Sequence, residues 1–301
     1  MEHDVQLRLS LSGELPPELI RDRFVGVGLI RGEYLLRSHE EYITVAACRE
    51  RVAAYLDEVC QLFDPLPVWY RTTEMTTDEV NTLHGVDVVI KEADPMKGLR
   101  GLRRGLAHPE AYVMELEVVA EVAQRRGNLH IITPFVIDAD EFGRGVDLLE
   151  KVGWPNRIGS MLEIPSAVLD VERIVAAGAS NVMFGFNDLS SLLTGASRAT
   201  HDMKLHPALW QAVGFVRDRV PADCEWGIAG NLTPAVVERA RQERVPYVSL
   251  HYCELDVHLG VDPSQLPDFG FVAQTKVKTR AQIAAARLRE DLAAHGISLD
   301  S

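Results

Sequence analysis

Arginine and carboxylate side chains stand at the ends of a series of short, β-branched apolar runs. Arg31 and Glu33 follow the run at 25–30, and Arg71 ends the run at 68–71. Glu163 falls in the last turn of 159–164, and Asn187 and Asp188 follow 182–186. Arg100 lies in the segment DPMKGLRG (94–101), and Arg198 comes eleven residues after Asn187. A guanidinium offers a rigid fork of donors that matches carboxylate and phosphate oxygens. Two carboxylates can hold Mg²⁺ while leaving positions for water and ligand. Together these groups suit a small, multiply charged substrate whose enolate oxygen a metal would stabilise. The bland reading of any one arginine is a rim salt bridge. Recurrence at successive run ends favours a shared mouth.

The elements that must position these groups alternate strand and helix. The strands expected are Val5–Leu11, Val25–Ile30, Val68–Arg71, Leu129–Phe135, Gly159–Ile164, Val182–Phe186, Trp226–Ala229 and Tyr247–His251. Ser38 with Glu41 predicts a capping box ahead of a helix running to about Cys60. Helices are also expected over Tyr112–Arg125, Asp138–Val152, Ala167–Ala177, Pro207–Arg219 and Pro234–Arg244. Strand–helix alternation implies right-handed parallel crossovers. Eight such units imply an α/β fold of the single (β/α)8 TIM-barrel type, whose active sites lie at the C-terminal strand ends. The barrel core would occupy about 5–255 of one domain spanning 1–301. Residues 254–274 read as a loop, and 275–296 as an extra closing helix with Val277, Ala281, Leu288 and Leu292 inward.

Composition narrows the classes. The chain has 301 residues and a formal net charge of −13. Such an acidic chain is a poor binder of nucleic acid or anionic membrane, and an anionic substrate needs locally concentrated arginine. Apolar content of 47% excludes wholesale disorder. No apolar run reaches the roughly 20 residues of a membrane span, and the acidic N-terminus does not read as a secretion signal. Cys48, Cys60, Cys224 and Cys253 are scattered, so a cytoplasmic protein without disulfides is expected, with Cys48 and Cys60 as core fillers. An open dinucleotide-binding sheet is disfavoured, because the glycines at 26, 28 and 32 miss the required spacing.

Several segments resemble one family. GVGLIRGEYLL (26–36), VWYRTTEMTTDEVNTLHG (68–85), DPMKGLRG (94–101), GSMLEIPSAV (159–168), FGFNDLS (184–190) and LHPAL (205–209) recur in order. They are similar to the C-terminal barrel of the phosphoenolpyruvate-utilising enzymes: phosphoenolpyruvate synthase, pyruvate phosphate dikinase and enzyme I of the sugar phosphotransferase system. The resemblance covers roughly 5–255. It implies that Arg31, Arg71, Arg100 and Arg198 clamp phosphoenolpyruvate, that Glu163 and Asp188 bind Mg²⁺, and that Asn187 contacts phosphate. It also implies a homodimer.

Several departures stand out, among them the loop 254–274, which has no close counterpart in the family and reads as a lid over the mouth or a partner contact. Gly32 replaces a threonine and Asp94 an asparagine of the family pattern. The family's protonating cysteine, at the end of strand seven, is most plausibly replaced by Ala229. Cys224 should lie at the wrong end of that strand, leaving Cys253, His251 or His258 as substitutes near strand eight. The family's phosphohistidine and nucleotide-binding domains do not fit upstream, so phosphoryl transfer of the transferase or kinase type requires a separate partner chain. His84, His201 and His206 do not sit in a phosphohistidine motif, and His206 reads as a helix start. Two alternatives remain: a Mg²⁺-dependent carbon–carbon lyase of the citryl-CoA type, and a non-catalytic ligand-binding subunit or sensor. The ligand in each case is phosphoenolpyruvate, pyruvate or another small 2-oxo acid.

Overall fold

The short apolar runs form strands whose residues are nearly all buried, as expected when helices cover the outer face and side chains fill the lumen. The computed structural model describes residues 4–94, 97–198, 202–251, 254–266 and 270–295. The chain runs β1 (Gln6–Leu11), α1 (Glu18–Arg21), β2 (Val27–Arg31), α2 (Gly32–Arg37), α3 (Ala46–Phe63) and β3 (Val68–Arg71). It continues through α4 (Thr77–Val80), α5 (Leu102–Ala107), α6 (Pro109–Arg125), β4 (Leu129–Thr133), α7 (Ala139–Lys151) and β5 (Ile158–Leu162). Then come α8 (Pro165–Leu169), α9 (Val171–Ala176), β6 (Asn181–Gly185), α10 (Phe186–Thr194), α11 (Pro207–Arg217) and β7 (Glu225–Ala229). The last elements are α12 (Pro234–Gln242), β8 (Tyr247–His251), α13 (Leu255–Leu259) and α14 (Gly270–Ala294). Neighbouring strands are all parallel, and β8 pairs with β1 to close the barrel. The expected (β/α)8 architecture is the observed one.

Seven strands each send one side chain into a common lumen cluster: Leu29, Trp69, Ile132, Met161, Met183, Ala229 and Tyr247. β1 contributes Arg8, whose guanidinium carbon lies 4.0 Å from the Tyr247 ring centre. Strand side chains alternate between faces, so positions two residues beyond this layer look into the C-terminal mouth. Among those positions are Arg31, Arg71, Glu163 and Gly185. A larger core packs strands against helices, including Leu56 of α3, Leu116 of α6 and Phe142 of α7. Cys48 and Cys60 are buried in it, as expected.

Four expectations need correction. Ser38 starts no helix; it ends α2, and α3 begins at Ala46. The intervening chain is held extended instead, because Tyr42 N–H donates to His84 O at 2.9 Å and Glu41 bridges His84. A capping box forms at Thr76 and Glu79. The helix expected over Ala167–Ala177 breaks at Asp170, whose carboxylate accepts from Ala139 N–H at 2.8 Å. The stretch expected as a loop after β8 contains α13, a 3₁₀ turn at Pro263–Gln265 and the start of α14. Finally, α14 turns Val272 and Thr279 inward, while Val277 and Leu288 are 66% and 56% exposed. This helix packs on α2 and α4 through ion pairs such as Lys278–Glu40, Arg287–Asp78 and Lys91–Glu290. Its contact face thus combines buried Val272 and Thr279 with ion pairs along the edge, a mixture that the apolar periodicity does not report. Among the described residues, no helix is long and apolar enough to cross a membrane.

Candidate active site

Arg71 is the hub of the mouth. Its Nη2 donates to Glu33 Oε1 at 2.7 Å, and its Nη1 lies 2.8 Å from Glu74 Oε2 and 3.5 Å from Glu163 Oε1. The other Glu74 oxygen pairs with Arg100. Arg100 Nη1 lies 3.4 Å, and Arg198 Nη1 2.5 Å, from the same Asp188 oxygen. Three guanidinia and four carboxylates thus form one network. All of them except Arg198 are buried.

The network is one positive charge short of neutral. Buried charge without full compensation is costly, and the least compensated acid shifts toward its neutral form. That acid is Glu163: burial first, then Glu74, pushes its carboxyl up to about 8 against the pull of Arg71. Burial also pushes Glu74 upward, but Arg100, Arg71 and Arg198 together outweigh it and hold Glu74 below its ordinary value. Burial disfavours the Arg71 cation, yet Glu33, Glu74 and Glu163 more than offset this and raise its pKa.

Local backbone features aim Glu163. Phe135, just past β4, has φ 58°, a left-handed conformation that costs a non-glycine residue on the order of 1 kcal/mol or more. In that conformation its N–H donates to Glu163 Oε2 at 3.0 Å. Its ring lies 4.0 Å under the Arg100 guanidinium. Gly185 leaves room for the carboxylate, since a Cβ there would sit 2.5 Å from Glu163 Oε1. Gly32 is similarly constrained: a Cβ would meet Tyr70 Oη at 2.5 Å and the Arg71 carbonyl at 2.7 Å. The departure from threonine at position 32 is thus tied to the tyrosine at 70.

The remaining expected residues divide. Arg31 is in register with Arg71 but turns away, donating from Nε to Ser12 Oγ at 2.9 Å and contacting His251 Nε2 through Nη2. Burial lowers the His251 pKa, with Arg31 and Lys276 adding to the effect, so its imidazole is neutral. Asn187 Oδ1 accepts from Asn231 N–H at 3.3 Å at the edge of the network. His258 Nε2 sits 2.7 Å from the Leu232 carbonyl oxygen. Ala229 ends β7 within the lumen cluster. Cys224 immediately precedes β7, at the opposite end of the barrel, and burial pushes its thiol up to about 11. His206 caps α11 through Nδ1, as a helix start should. Cys253 and His201 lie outside the described residues.

Residue-type reasoning missed Glu74 and Glu115. Glu74 joins two of the expected arginines and lies only three residues after Arg71. Glu115 lies beneath the mouth, where its Oε1 accepts from Tyr70 Oη and Thr73 N–H at 2.7 Å each and from Thr73 Oγ1 at 3.0 Å. Burial pushes its carboxyl up to about 7. The available signal was its place on the buried stripe of α6, between Tyr112 and Val119.

A cavity of 210 Å³ opens beside Asn187 and Arg198. A larger one of 820 Å³ lies at the other end of the barrel, against the loops that enter β2 and β3. Barrel chemistry sits at the C-terminal end, so the smaller cavity is the relevant one. Among the described residues, no group of three or more His, Cys, Asp or Glu side chains could hold a metal ion. A cation here would have Glu163 and Asp188 as protein ligands, with water or substrate completing its shell. That donor set fits Mg²⁺, which keeps several waters.

The family model described as PEP-utilising enzyme, PEP-binding domain, matches residues 15–233. The chain belongs to this family. The phosphoenolpyruvate synthase of Pyrococcus furiosus is 28% identical over 214 residues, covering 64% of this chain and 26% of that protein. A probable phosphoenolpyruvate synthase of Pyrococcus horikoshii is 29% identical, covering 64% and 25%. A phosphoenolpyruvate-dependent phosphotransferase system protein of Escherichia coli is 28% identical, covering 70% and 30%. The chain therefore spans about a quarter to a third of the curated relatives it matches. Among solved structures, an HpcH/HpaI aldolase/citrate lyase family protein from Burkholderia cenocepacia aligns at TM-score 0.49 and 15% identity, over 86% of this chain and 92% of that one. The PEP-binding-domain match includes all four expected arginines, both expected metal carboxylates and Ala229.

Proposed function

We propose that this barrel binds phosphoenolpyruvate, pyruvate or a similar small 2-oxo acid together with Mg²⁺, and stabilises the enolate. The observation that carries this is the network of Arg71, Arg100 and Arg198 locked onto Glu33, Glu74, Glu163 and Asp188. When bound, Mg²⁺ supplies Lewis-acid stabilisation of the enolate oxygen. The residues supply the rest. Glu163 and Asp188, once engaged with the cation, release charge on Arg71, Arg100 and Arg198. Those forks are then available to the carboxylate and phosphate of the ligand. Burial of the network keeps water out and strengthens each contact. Phosphoryl transfer would require a separate phosphohistidine or nucleotide-binding partner.

Calorimetry with pyruvate and with phosphoenolpyruvate, with and without Mg²⁺, tests this reading. Binding should require the cation and disappear in Glu163→Gln and Asp188→Asn. Metal-independent binding, or unchanged binding in both variants, would rule it out.

Ala229 favours a second reading on the same site. With an alanine at the end of β7, that strand end offers no thiol to protonate the enolate. An enolate that attacks a carbon electrophile needs no such proton donor, and one released by carbon–carbon cleavage can take its proton from water or another acid. Deuterium exchange into the pyruvate methyl group supports enolisation alone. Mg²⁺-dependent cleavage of a four-carbon 2-oxo acid supports the lyase.

A further inference from the structure

The barrel lumen carries a second polar cluster, at the end opposite the candidate active site. His130 and Asn181 lie two residues before Ile132 and Met183 of the lumen cluster, so they face inward near the N-terminal strand ends. Trp69 belongs to the lumen cluster, and its ring lies against that of His130, with centres 4.9 Å apart. Arg8 Nη1 donates to Glu225 Oε2, and Arg157 Nη1 to Glu225 Oε1, at 3.0 Å each. The Arg157 guanidinium carbon is 5.2 Å from the Trp69 ring centre. Tyr247, whose ring carries Arg8, donates from Oη to Asn181 Oδ1 at 2.8 Å.

Hydrogen bonding in this layer is one-sided. Arg8 Nε, Trp69 Nε1 and Asn181 Nδ2 have no acceptor among the described residues. Their residues are 5%, 0% and 0% exposed. All three atoms can only donate, and buried donors are almost always paired. His130 Nδ1 is also unpartnered and becomes a fourth donor in the tautomer that protonates it. Charge leans the same way, because Arg8 and Arg157 share the single carboxylate of Glu225. Burial pushes that carboxyl upward, but the two arginines outweigh it and hold it below its ordinary value. Burial, with Arg157 next, lowers His130 to about 4, so the imidazole is neutral. The cluster therefore carries one surplus positive charge. A water molecule would bring two hydrogens that themselves need acceptors. A monovalent anion brings none and accepts from several donors at once.

We propose that the N-terminal layer of the lumen binds one small monovalent anion of the halide class, with Arg8 Nε, Trp69 Nε1 and Asn181 Nδ2 as its donors. The anion neutralises the surplus charge and ties β1, β3 and β6 together across the lumen. Arg157 and Glu225 are 34% and 33% exposed, so the layer is reached from the N-terminal rim. One surplus charge does not match a dianion such as phosphate. The site shares no residue with the Arg71 network, so it stands or falls independently of the enolate reading.

Thermal unfolding of the intact protein in sodium chloride and in sodium gluconate, at equal ionic strength, tests the proposal. Gluconate is too bulky for a packed lumen. A ligand bound only by the native state should raise the melting temperature by about 2–5 °C at ten times its Kd. Wild type should show this rise with chloride and with bromide. Trp69→Phe keeps a ring but loses the N–H, and should weaken chloride at least about tenfold, the factor that ~1.4 kcal/mol of charge-assisted contact carries. Asn181→Asp puts a carboxylate in the layer and should abolish the chloride dependence. Each variant is compared with itself in the two salts, so a general loss of stability does not mask the result. Crystals of wild type grown in bromide supply a second reading that needs no variant: an anomalous peak among the three nitrogens. Absence of a chloride-specific rise overturns the site. So does an equal rise in wild type and both variants, which would be a general salt effect, or a bromide crystal with water among the three nitrogens.

Discussion

Glu74 holds Arg71 at 2.8 Å on one oxygen and Arg100 on the other. The carboxylate therefore occupies donors that a bound anion would need. It is both the counter-ion that allows two guanidinia to be buried and a built-in competitor of the ligand. Glu74→Gln should lower stability by about 1–3 kcal/mol, since it replaces charge-assisted contacts to Arg71 and Arg100 with weaker neutral ones. The same change should raise the affinity for a small dianion such as oxalate in the presence of Mg²⁺. Thermal unfolding and calorimetry read the two effects separately. Reduced oxalate affinity would show that Glu74 positions the arginines more than it competes for them.

Gly185 makes a sharper geometric prediction. A methyl group at that position meets Glu163 Cγ at 2.4 Å and Oε1 at 2.5 Å. Gly185→Ala should cost about 1–3 kcal/mol by overpacking and should displace the carboxylate. The rise in melting temperature that Mg²⁺ should produce in wild type should then shrink or vanish. An undiminished rise would place the cation elsewhere.

Stability should depend on pH through Glu115. Its folded pKa is about 7 against an ordinary 4.5, with burial as the main cause. An acid with a raised folded pKa favours the native state while protonated, so its contribution is complete below about 4.5 and is lost as pH rises through about 7. The shift corresponds to about 3 kcal/mol at most. Glu115→Gln keeps an oxygen for Tyr70 and Thr73 but cannot ionise. Unfolding measured from pH 5 to pH 8 should therefore fall less steeply in this variant. Parallel slopes would assign the wild-type loss to the other buried acids, among them Glu14 and Glu254, whose carboxyls burial also pushes up to about 7.

The two faces of α14 can be told apart. Val272→Ala removes buried side-chain volume and should cost about 1–3 kcal/mol. Val277→Ser and Leu288→Gln alter exposed positions and should stay within about 0.5 kcal/mol of wild type. The reverse order in denaturant titrations would restore the inward face that periodicity suggests.

Local rules were enough for the barrel and for most of its mouth. Strand–helix alternation with β-branched runs has few closed solutions, and the two-residue period of a strand carries Arg31, Arg71 and Glu163 to the same rim. Residue type at strand ends therefore located the arginines and acids before any coordinates. What the chain alone did not reveal is which charges pair. Arg31 and Arg71 are register partners, yet one turns to Ser12 and His251 and the other to Glu33, Glu74 and Glu163. Glu74 and Glu115 read as ordinary polar residues until burial gives them long-range partners. The helix boundaries that differ lie at Ser38 and Asp170, where hydrogen bonds from Tyr42 to His84 and from Ala139 to the Asp170 carboxylate tie the chain to segments far away in sequence. The inward face of α14 differs from the apolar stripe because it is set by Val272 and Thr279 buried against the barrel and by ion pairs to Glu40 and Asp78, far away in sequence. Periodicity and residue type are local and survive in a sequence. Pairing within a buried network depends on which groups are brought out of water together, and only the tertiary structure decides that.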